Sequence, residues 1–476
     1  MNRREFLRST AIVCSGVAMS KRPLAAASGI FAQRDHVPIA DRFGDPASHF
    51  VFEYYPWYRA NPYVHWDQDG RHPPIDLASN YVPLLGAYDS RAAAVMEQHA
   101  AWIVESGAGA INVSWWGQGS DVDALVPTLM DVMRAHGIKV AFHIEPYDNQ
   151  HAYSYARDVE YLIREYGDRR RWDAFLLLER ADGSSGPVFK SFRTILPSQS
   201  TDCHGVTTAV ADYVTDSVWR AQTDRIRQTF ARDFDQVTLL ADSLDMTRTQ
   251  AAGFDGIAIY SNFVTPDTWE THARDCTAAN LLFSFNTNPG YDGIRLRQVD
   301  PQSCYAPLPF EPGGDTYNWS AENGRERARA ASELRIADSF RTTVSLQANP
   351  SYSNAKRGFF LVYINSFNEW HEGHQFEPMK GAANLTAAER AIGYHNPDDG
   401  RVPAGRAAVA LGLRAHQRGL KLFERGLRPA ATLGAPPGLR STRRTRTNST
   451  PRRGSAFPGR RSARSPNHTR DPARHS

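Results

Sequence analysis

Glu369 and Glu372 stand three residues apart in the run Asn368-Glu369-Trp370-His371-Glu372-Gly373-His374. A loop or a helical turn can direct two carboxyl groups at that spacing to one side, whereas a straight strand would send them to opposite faces. In one cleft they could act as an acid and a base, because crowding pushes their pKa values apart and keeps one protonated near neutrality. Cleaving a glycosidic bond calls for such a pair, one carboxyl protonating the leaving oxygen and the other acting on the opposite side of the reaction. The competing use is a structural ion pair with an arginine. A metal centre is a weaker reading of the same run. His371, Glu372 and His374, with His143, are ligand types, but H-E-x-H does not put two histidines on one helical face as H-E-x-x-H does. No metal and no cofactor are expected, and His371 reads as a hydrogen-bonding group beside the carboxylates.

Carboxylates, amides and aromatics recur together at four other places: Tyr54-Tyr55-Pro56-Trp57-Tyr58, Ser114-Trp115-Trp116-Gly117-Gln118-Gly119-Ser120, His143-Ile144-Glu145-Pro146-Tyr147 and Asn286-Thr287-Asn288-Pro289-Gly290-Tyr291-Asp292. Sugar rings have apolar C–H faces that stack on aromatic rings and hydroxyl edges that need paired donors and acceptors, so this mixture suits a saccharide cleft. Of the adjacent Trp115 and Trp116, one must point into the fold and the other away.

Each cluster follows a short apolar run. The runs Val51–Trp57, Gly109–Trp115, Ile138–Ile144, Pro187–Phe192, Val237–Ala241, Phe254–Tyr260, Leu281–Phe285 and Phe359–Ile364 are mostly continuous rather than alternating, as parallel strands buried on both faces should be. Helical periodicity separates them: Val159, Leu162, Ile163 and Tyr166 fall at i, i+3, i+4, i+7 before Gly167, and 122–136 carries a similar stripe ending at Gly137. Eight strand–helix alternations predict an α/β fold of the (β/α)8 TIM-barrel type, with reacting groups at the C-terminal ends of the strands. The barrel is placed at 45–427, decorated by insertions at 196–236 and 298–325.

The ends of the chain differ from its body. The formal charge is +4, but residues 1–30 carry +4 and residues 431–476 carry +10, which leaves about −10 for residues 31–430. A body of that sign is a poor nucleic-acid binder. Residues 1–30 read as an export signal of the twin-arginine type: Arg3-Arg4-Glu5-Phe6-Leu7, an apolar run from Ala11 to Met19, then Ala25-Ala26-Ala27. That run is shorter than the ~20 residues a membrane-spanning helix needs. The expectation is a monomer handed to the twin-arginine export machinery and delivered to the periplasm or beyond, with no stable membrane insertion. Residues 428–476, rich in Arg, Pro, Gly, Ser and Thr, read as a disordered basic tail. Cys14, Cys203, Cys276 and Cys304 have no CxxC spacing, and one disulfide among the last three is open.

In this order the strand ends closely resemble glycoside hydrolase family 99, the endo-α-mannosidase and α-mannanase family. The matching segments are YYPWY (54–58), GRHPPIDLASNYVPLLGAYDS (70–90), SWWGQGSDVD (114–123), KVAFHIEPY (139–147), GFDGIAIY (253–260), NPGYDGIR (288–295) and INSFNEWHEGHQFE (364–377). The resemblance implies a barrel that cleaves inside α-mannosyl chains with retention of configuration. It assigns Glu369 as the base on the sugar's own 2-hydroxyl, giving a 1,2-anhydro intermediate, and Glu372 as the acid on the leaving oxygen. It places Tyr55, Trp116, Glu145, Tyr147 and Tyr291 along the subsites, and His143, Tyr260, Asn368 and His371 complete the expected substrate-binding set. The substrate expected is an α-mannan or related glycan with α-1,2-type linkages. The chain departs from the family pattern at the fourth strand, where Lys190 replaces an acid, at Ala258, and at Val264-Thr265-Pro266-Asp267, which mark a divergent bacterial member. Two other uses stay open: processing or assembly of surface polysaccharide, and glycan binding without catalysis, which would have little use for two costly adjacent acids.

Overall fold

The computed structural model describes residues 39–148, 150–168, 171–202, 204–290, 322–394 and 396–397. Eight short strands carry the frame: β1 (Phe50–Tyr54), β2 (Ala110–Trp115), β3 (Lys139–Ile144), β4 (Ser185–Ser191), β5 (Thr238–Ala241), β6 (Gly256–Ala258), β7 (Leu282–Ser284) and β8 (Val362–Ile364). All neighbours are parallel, in the order β7-β6-β5-β4-β3-β2-β1-β8. A parallel bridge between Thr287, just past β7, and Ile364 in β8 joins the two ends of the sheet. The frame is therefore the (β/α)8 barrel that the strand–helix alternation predicts. Six of the eight apolar runs contain one of these strands, and the other two, Val51–Trp57 and Pro187–Phe192, overlap β1 and β4, which begin one and two residues earlier.

Seven helices make the crossovers: α1 (Ala93–Ser106), α2 (Asp121–Ala135), α3 (His151–Leu162), α4 (Asp216–Phe230), α5 (Met246–Ala251), α6 (Pro266–Ala278) and α7 (Glu322–Ala348). Their starts follow local chemistry. The Ser120 side chain accepts from the Asp123 N–H and the Asp245 side chain from the Arg248 N–H, which satisfies donors that a first turn leaves unpaired. The expected stripe Val159, Leu162, Ile163 and Tyr166 is buried, with α3 widening at its end into a π-helical turn, Ile163–Asp168. The span 196–236 is only partly decoration. Its first half holds the hairpin Gln199–Thr201 with Thr207–Ala209, but its second half is α4, the crossover between β4 and β5. Residues 298–321 of the second expected insertion, together with 1–38, 428–476, Tyr291, Cys14, Cys203 and Cys304, lie outside the described residues. Cys276 is a buried free thiol. Among the described residues no helix is long and apolar enough to cross a membrane.

Side chains two apart on a strand share a face, and that rule sorts the barrel. Phe52, Tyr54, Ile111, Val113, Phe142, Ile144, Phe189 and Leu239 belong to the large apolar cluster that the strands share with helix residues such as Met96, Leu129 and Val159. The alternate residues Val51, Ala110, Ala141, Val188, Leu240, Leu282 and Leu361 form a separate cluster inside the ring. Two residues further along the same faces come Glu53, Asn112, His143, Lys190, Asp242, Ser284 and Tyr363. The interior thus changes from apolar to polar on the way to the mouth. The ring is tight where glycine faces its neighbour: a Cβ at Gly256 would sit 2.3 Å from the Leu282 carbonyl oxygen. Gly256→Ala is expected to destabilise the fold by about 1–3 kcal/mol or more, read as a lowered midpoint in urea.

Candidate active site

The loop after β8 sets the two glutamates. Asn368 locks it to the end of β1, accepting from the Tyr55 N–H at 2.8 Å and donating to the Tyr55 carbonyl at 2.9 Å. The Ser366 hydroxyl accepts the Glu369 N–H at 2.8 Å, and the Tyr58 hydroxyl accepts the Trp370 N–H at 2.9 Å. Trp370–Glu372 then forms one 3-10 turn, closed by Gly373 in the left-handed region at φ 70°. Residues three apart eclipse on such a turn, so Glu369 and Glu372 project the same way. Beneath it the buried Glu377 accepts hydrogen bonds from Trp370 Nε1 and Tyr88, both at 2.7 Å, with His99 at 3.2 Å. Glu377 ends the matching segment, but its work is to hold the turn.

One hydroxyl joins the pair. Tyr260 Oη, from the loop after β6, lies 2.7 Å from Glu369 Oε2 and 2.8 Å from Glu372 Oε2. His374 Nε2 adds contacts of 2.9 Å to Glu372 Oε2 and 3.4 Å to Glu369 Oε2. A phenol carries one proton, so it can donate to only one of the two carboxyls, and the other contact is satisfied when that carboxyl itself holds a proton. Tyr260 is fixed on every side. Its N–H donates to Asp242 at 3.1 Å, and its carbonyl accepts from Asn286 at 2.7 Å and Asn365 at 3.1 Å. Its ring packs 5.0 Å from Phe192 and 5.5 Å from the Lys190 ammonium.

Opposite, a second chain of contacts starts in the polar layer. Lys190 Nζ meets Glu53 Oε1 at 2.5 Å, and Glu53 Oε2 accepts from Asn112 at 3.0 Å and lies 3.2 Å from His143 Nδ1, off the line of a hydrogen bond. Burial alone would raise the Glu53 carboxyl, but the Lys190 charge and then His143 hold it down at about 2. Burial raises the Asp242 carboxyl against the pull of Lys190. Glu145 continues the chain: Ser114 Oγ donates to its Oε1 at 2.7 Å, and Trp116 Nε1 donates to Ser114 Oγ at 3.0 Å.

Of the expected site residues, Glu369, Glu372, Tyr260, Asn368 and His371 come together around the β8 turn, with His371 Nδ1 3.1 Å from the Tyr58 hydroxyl. Tyr55, His143, Glu145 and Trp116 stand at the adjoining ends of β1, β3 and β2. Tyr147 is at the mouth, but its hydroxyl is spent on Asp158 at 2.6 Å and Ser154 at 3.0 Å; burial and then that acid push it up to about 12. Trp116 faces Trp57 at 6.0 Å, while Trp115 is the buried member of its pair, bonded to Asp123 at 2.7 Å. Tyr291 lies outside the described residues. His374 is singled out in the sequence only as a metal-ligand type and Asn286 only as part of a strand-end cluster, while Glu53, Asp242 and Asn365 carry no such signal; counting in twos along β1 would have set Glu53 on the inner face with Val51. Glu369, His371 and Glu372 offer ligand atoms within 4.8 Å of one another, so a cation could be held there, although Tyr260 and His374 already engage both carboxylates.

A (β/α)8 barrel with two enclosed carboxyls at the C-terminal ends of its strands is the build of a glycoside hydrolase. The chain belongs to glycosyl hydrolase family 99, whose family model it matches over residues 45–306. It is 28% identical over 391 residues to the glycoprotein endo-alpha-1,2-mannosidase of Rattus norvegicus, covering 74% of this chain and 72% of that one. It is likewise 28% identical over 379 residues to the glycoprotein endo-alpha-1,2-mannosidase-like protein of Danio rerio, covering 72% and 74%. The fold is shared with the solved GH99 endo-alpha-mannosidase from Bacteroides thetaiotaomicron, at a TM-score of 0.52 and 20% identity over 79% of this chain and 98% of that one. The chain is thus an endo-acting glycoside hydrolase.

Proposed function

We propose that this protein is an exported, retaining endo-α-mannosidase that cleaves α-1,2-type linkages through a 1,2-anhydro sugar. The observation that carries the reading is the Glu369–Glu372 pair, with oxygens within 4.8 Å and a single hydroxyl between them. The shared hydroxyl brings both carboxyls to one reaction centre, and retention follows from the two successive inversions of the route below. The names of the relatives supply the sugar and the linkage.

In the first step Glu369 takes the proton of the 2-hydroxyl. The 2-oxygen bonds to the anomeric carbon as the glycosidic bond breaks, and Glu372 gives its proton to the leaving oxygen. In the second step a water attacks the anomeric carbon and loses a proton to Glu372, while Glu369 returns its proton to the 2-oxygen. Two inversions leave the configuration retained, and both carboxyls regain their starting states. The half-buried Trp116 provides a ring face for a neighbouring sugar, Tyr55 packs fully buried behind Trp57, and Glu145 and His143 accept from or donate to the sugar hydroxyls.

The test is purified protein against α-mannans, with product linkage and anomeric configuration followed by NMR. A released β-anomer, or no cleavage of any α-mannan, would overturn the reading. Tyr260→Phe should keep the fold and lower kcat about 10- to 100-fold, because it removes the group that aligns both carboxyls; unchanged kcat would remove Tyr260 from the mechanism. Export rests on residues 1–30. Arg3→Lys/Arg4→Lys is expected to retain the protein in the cytoplasm, scored by cell fractionation, and undiminished export would rule out the twin-arginine route.

A further inference from the structure

We propose that the Lys190–Glu53 ion pair is the positioning element of this active site, holding Tyr260 on one arm and the Glu145–Trp116 wall on the other. The proposal rests on reading Glu369 and Glu372 as the reacting pair.

Lys190 is on β4 and Glu53 on β1, and β3 and β2 separate those strands in the sheet. A 2.5 Å contact between them therefore spans the barrel interior, where both side chains are fully buried. Such a pair is a poor choice for stability alone, since apolar residues of similar volume often do as well or better. Its place gives it another use. It lies one step along the inner face above Val51 and Val188, directly below the mouth.

From Lys190 the first arm runs upward. The ammonium lies 4.7 Å from the Tyr363 ring and 5.5 Å from the Tyr260 ring, distances at which a desolvated cation is attracted to an aromatic face. The Tyr260 ring is thereby held between Lys190 and Phe192, with its hydroxyl between the two carboxyls. The second arm leaves through Glu53, by a hydrogen bond to Asn112 and by the close approach of His143 Nδ1 at 3.2 Å without one. His143 Nδ1 stands 3.9 Å from Glu145 Oε1, which receives the Ser114 hydroxyl and, behind it, the Trp116 indole N–H. Because Glu53 neutralises Lys190 at contact distance, the pair acts on Glu369 and Glu372 as a short dipole rather than as a free cation. Its influence on them is therefore carried by geometry, through Tyr260.

Two variants test this: Glu53→Gln, which keeps the shape but gives up the charge and one of the two acceptor oxygens that meet Lys190 and Asn112, and the neutral Lys190→Met/Glu53→Gln, each first checked for folding by circular dichroism. On α-mannan, from about pH 4 to 8, the folded variants should lose about 10- to 100-fold in kcat with a smaller change in KM, and the acid limb of the pH–rate profile should move. In the neutral double variant, which leaves no bare cation near the carboxyls, a purely structural pair would shift neither the limb nor the ratio of kcat to KM effects. Wild-type kcat and pH profile in the folded double variant would overturn the proposal; should either variant not fold, the other decides on kcat and KM. Should the wild type leave α-mannan uncut, the functional reading falls and the pair is judged by a crystal structure of Glu53→Gln. Tyr260 Oη displaced from its 2.7 and 2.8 Å contacts by more than about 0.5 Å upholds it, and unmoved contacts overturn it.

Discussion

Glu372→Gln is expected to leave the protein folded and able to bind α-mannan while lowering kcat on it by about 10²–10⁴-fold, the usual worth of a positioned general acid. The amide keeps the size of the side chain and can still bond to Tyr260 and His374, which lie 2.8 and 2.9 Å from the present Oε2. What it loses is the transferable proton. A sugar leaving group departs as a poor alkoxide unless protonated, whereas a phenolate or fluoride departs unaided. The deficit should therefore shrink to a few-fold on an activated α-mannoside. Glu369→Gln should not be rescued in this way, because no leaving group replaces the base that the 2-hydroxyl needs. The measurement is kcat for both variants on an α-mannan and on an aryl or fluoride donor, with affinity by calorimetry. Equal rescue of both variants, or of neither, would remove the separate roles. A turnover in Glu372→Gln that matches wild type would remove the pair from catalysis altogether.

How far the sequence discloses this site depends on the distance over which each residue acts. The strands were legible because parallel strands buried on both faces must be continuous apolar runs, and runs such as Val51–Trp57 and Ile138–Ile144 have little else to become. The paired glutamates were legible because their three-residue spacing is local, and the 3-10 turn Trp370–Glu372 realises it. The Tyr260 hydroxyl is a different case. It bridges carboxyls 109 and 112 residues away, and only the closure of the ring brings β6 to β8. Lys190 was visible as a departure in the fourth strand, yet its partner is 137 residues distant in a segment whose tyrosines and tryptophan draw attention first. Helix α4 was misplaced into an insertion because its buried residues Trp219, Thr223, Ile226 and Phe230 are sparse among charged neighbours. Tyr147 shows the opposite error: a residue type suited to sugars, whose hydroxyl is occupied by Asp158.

The second large effect concerns stability, and its pH dependence should reverse sign. In the native protein Glu53 sits at about 2 against an ordinary 4.5. A carboxyl lowered on folding contributes stability that is fully present above its unfolded pKa and is lost as pH falls through the folded one. The Glu53 contribution should accordingly be complete above about pH 4.5 and drain away toward pH 2. Lys190→Met removes the cation and leaves the burial, so the carboxyl is driven upward instead. A charge stranded in this way costs about 3–5 kcal/mol at neutral pH. Acid then relieves the variant, because protonating Glu53 removes the stranded charge, and its stability should rise as pH is lowered from 7 toward 5 while that of the wild type does not. Adding Glu53→Gln removes the charge outright, so the double variant should recover most of the loss and show neither slope. Urea unfolding at pH 5, 6 and 7 on the wild type, Lys190→Met and the double variant reads all three outcomes. A Lys190→Met protein that is no more stable at pH 5 than at pH 7 would mean that Glu53 finds another counter-charge or reaches solvent. The buried pair would then not be the isolated unit that its two fully enclosed side chains describe.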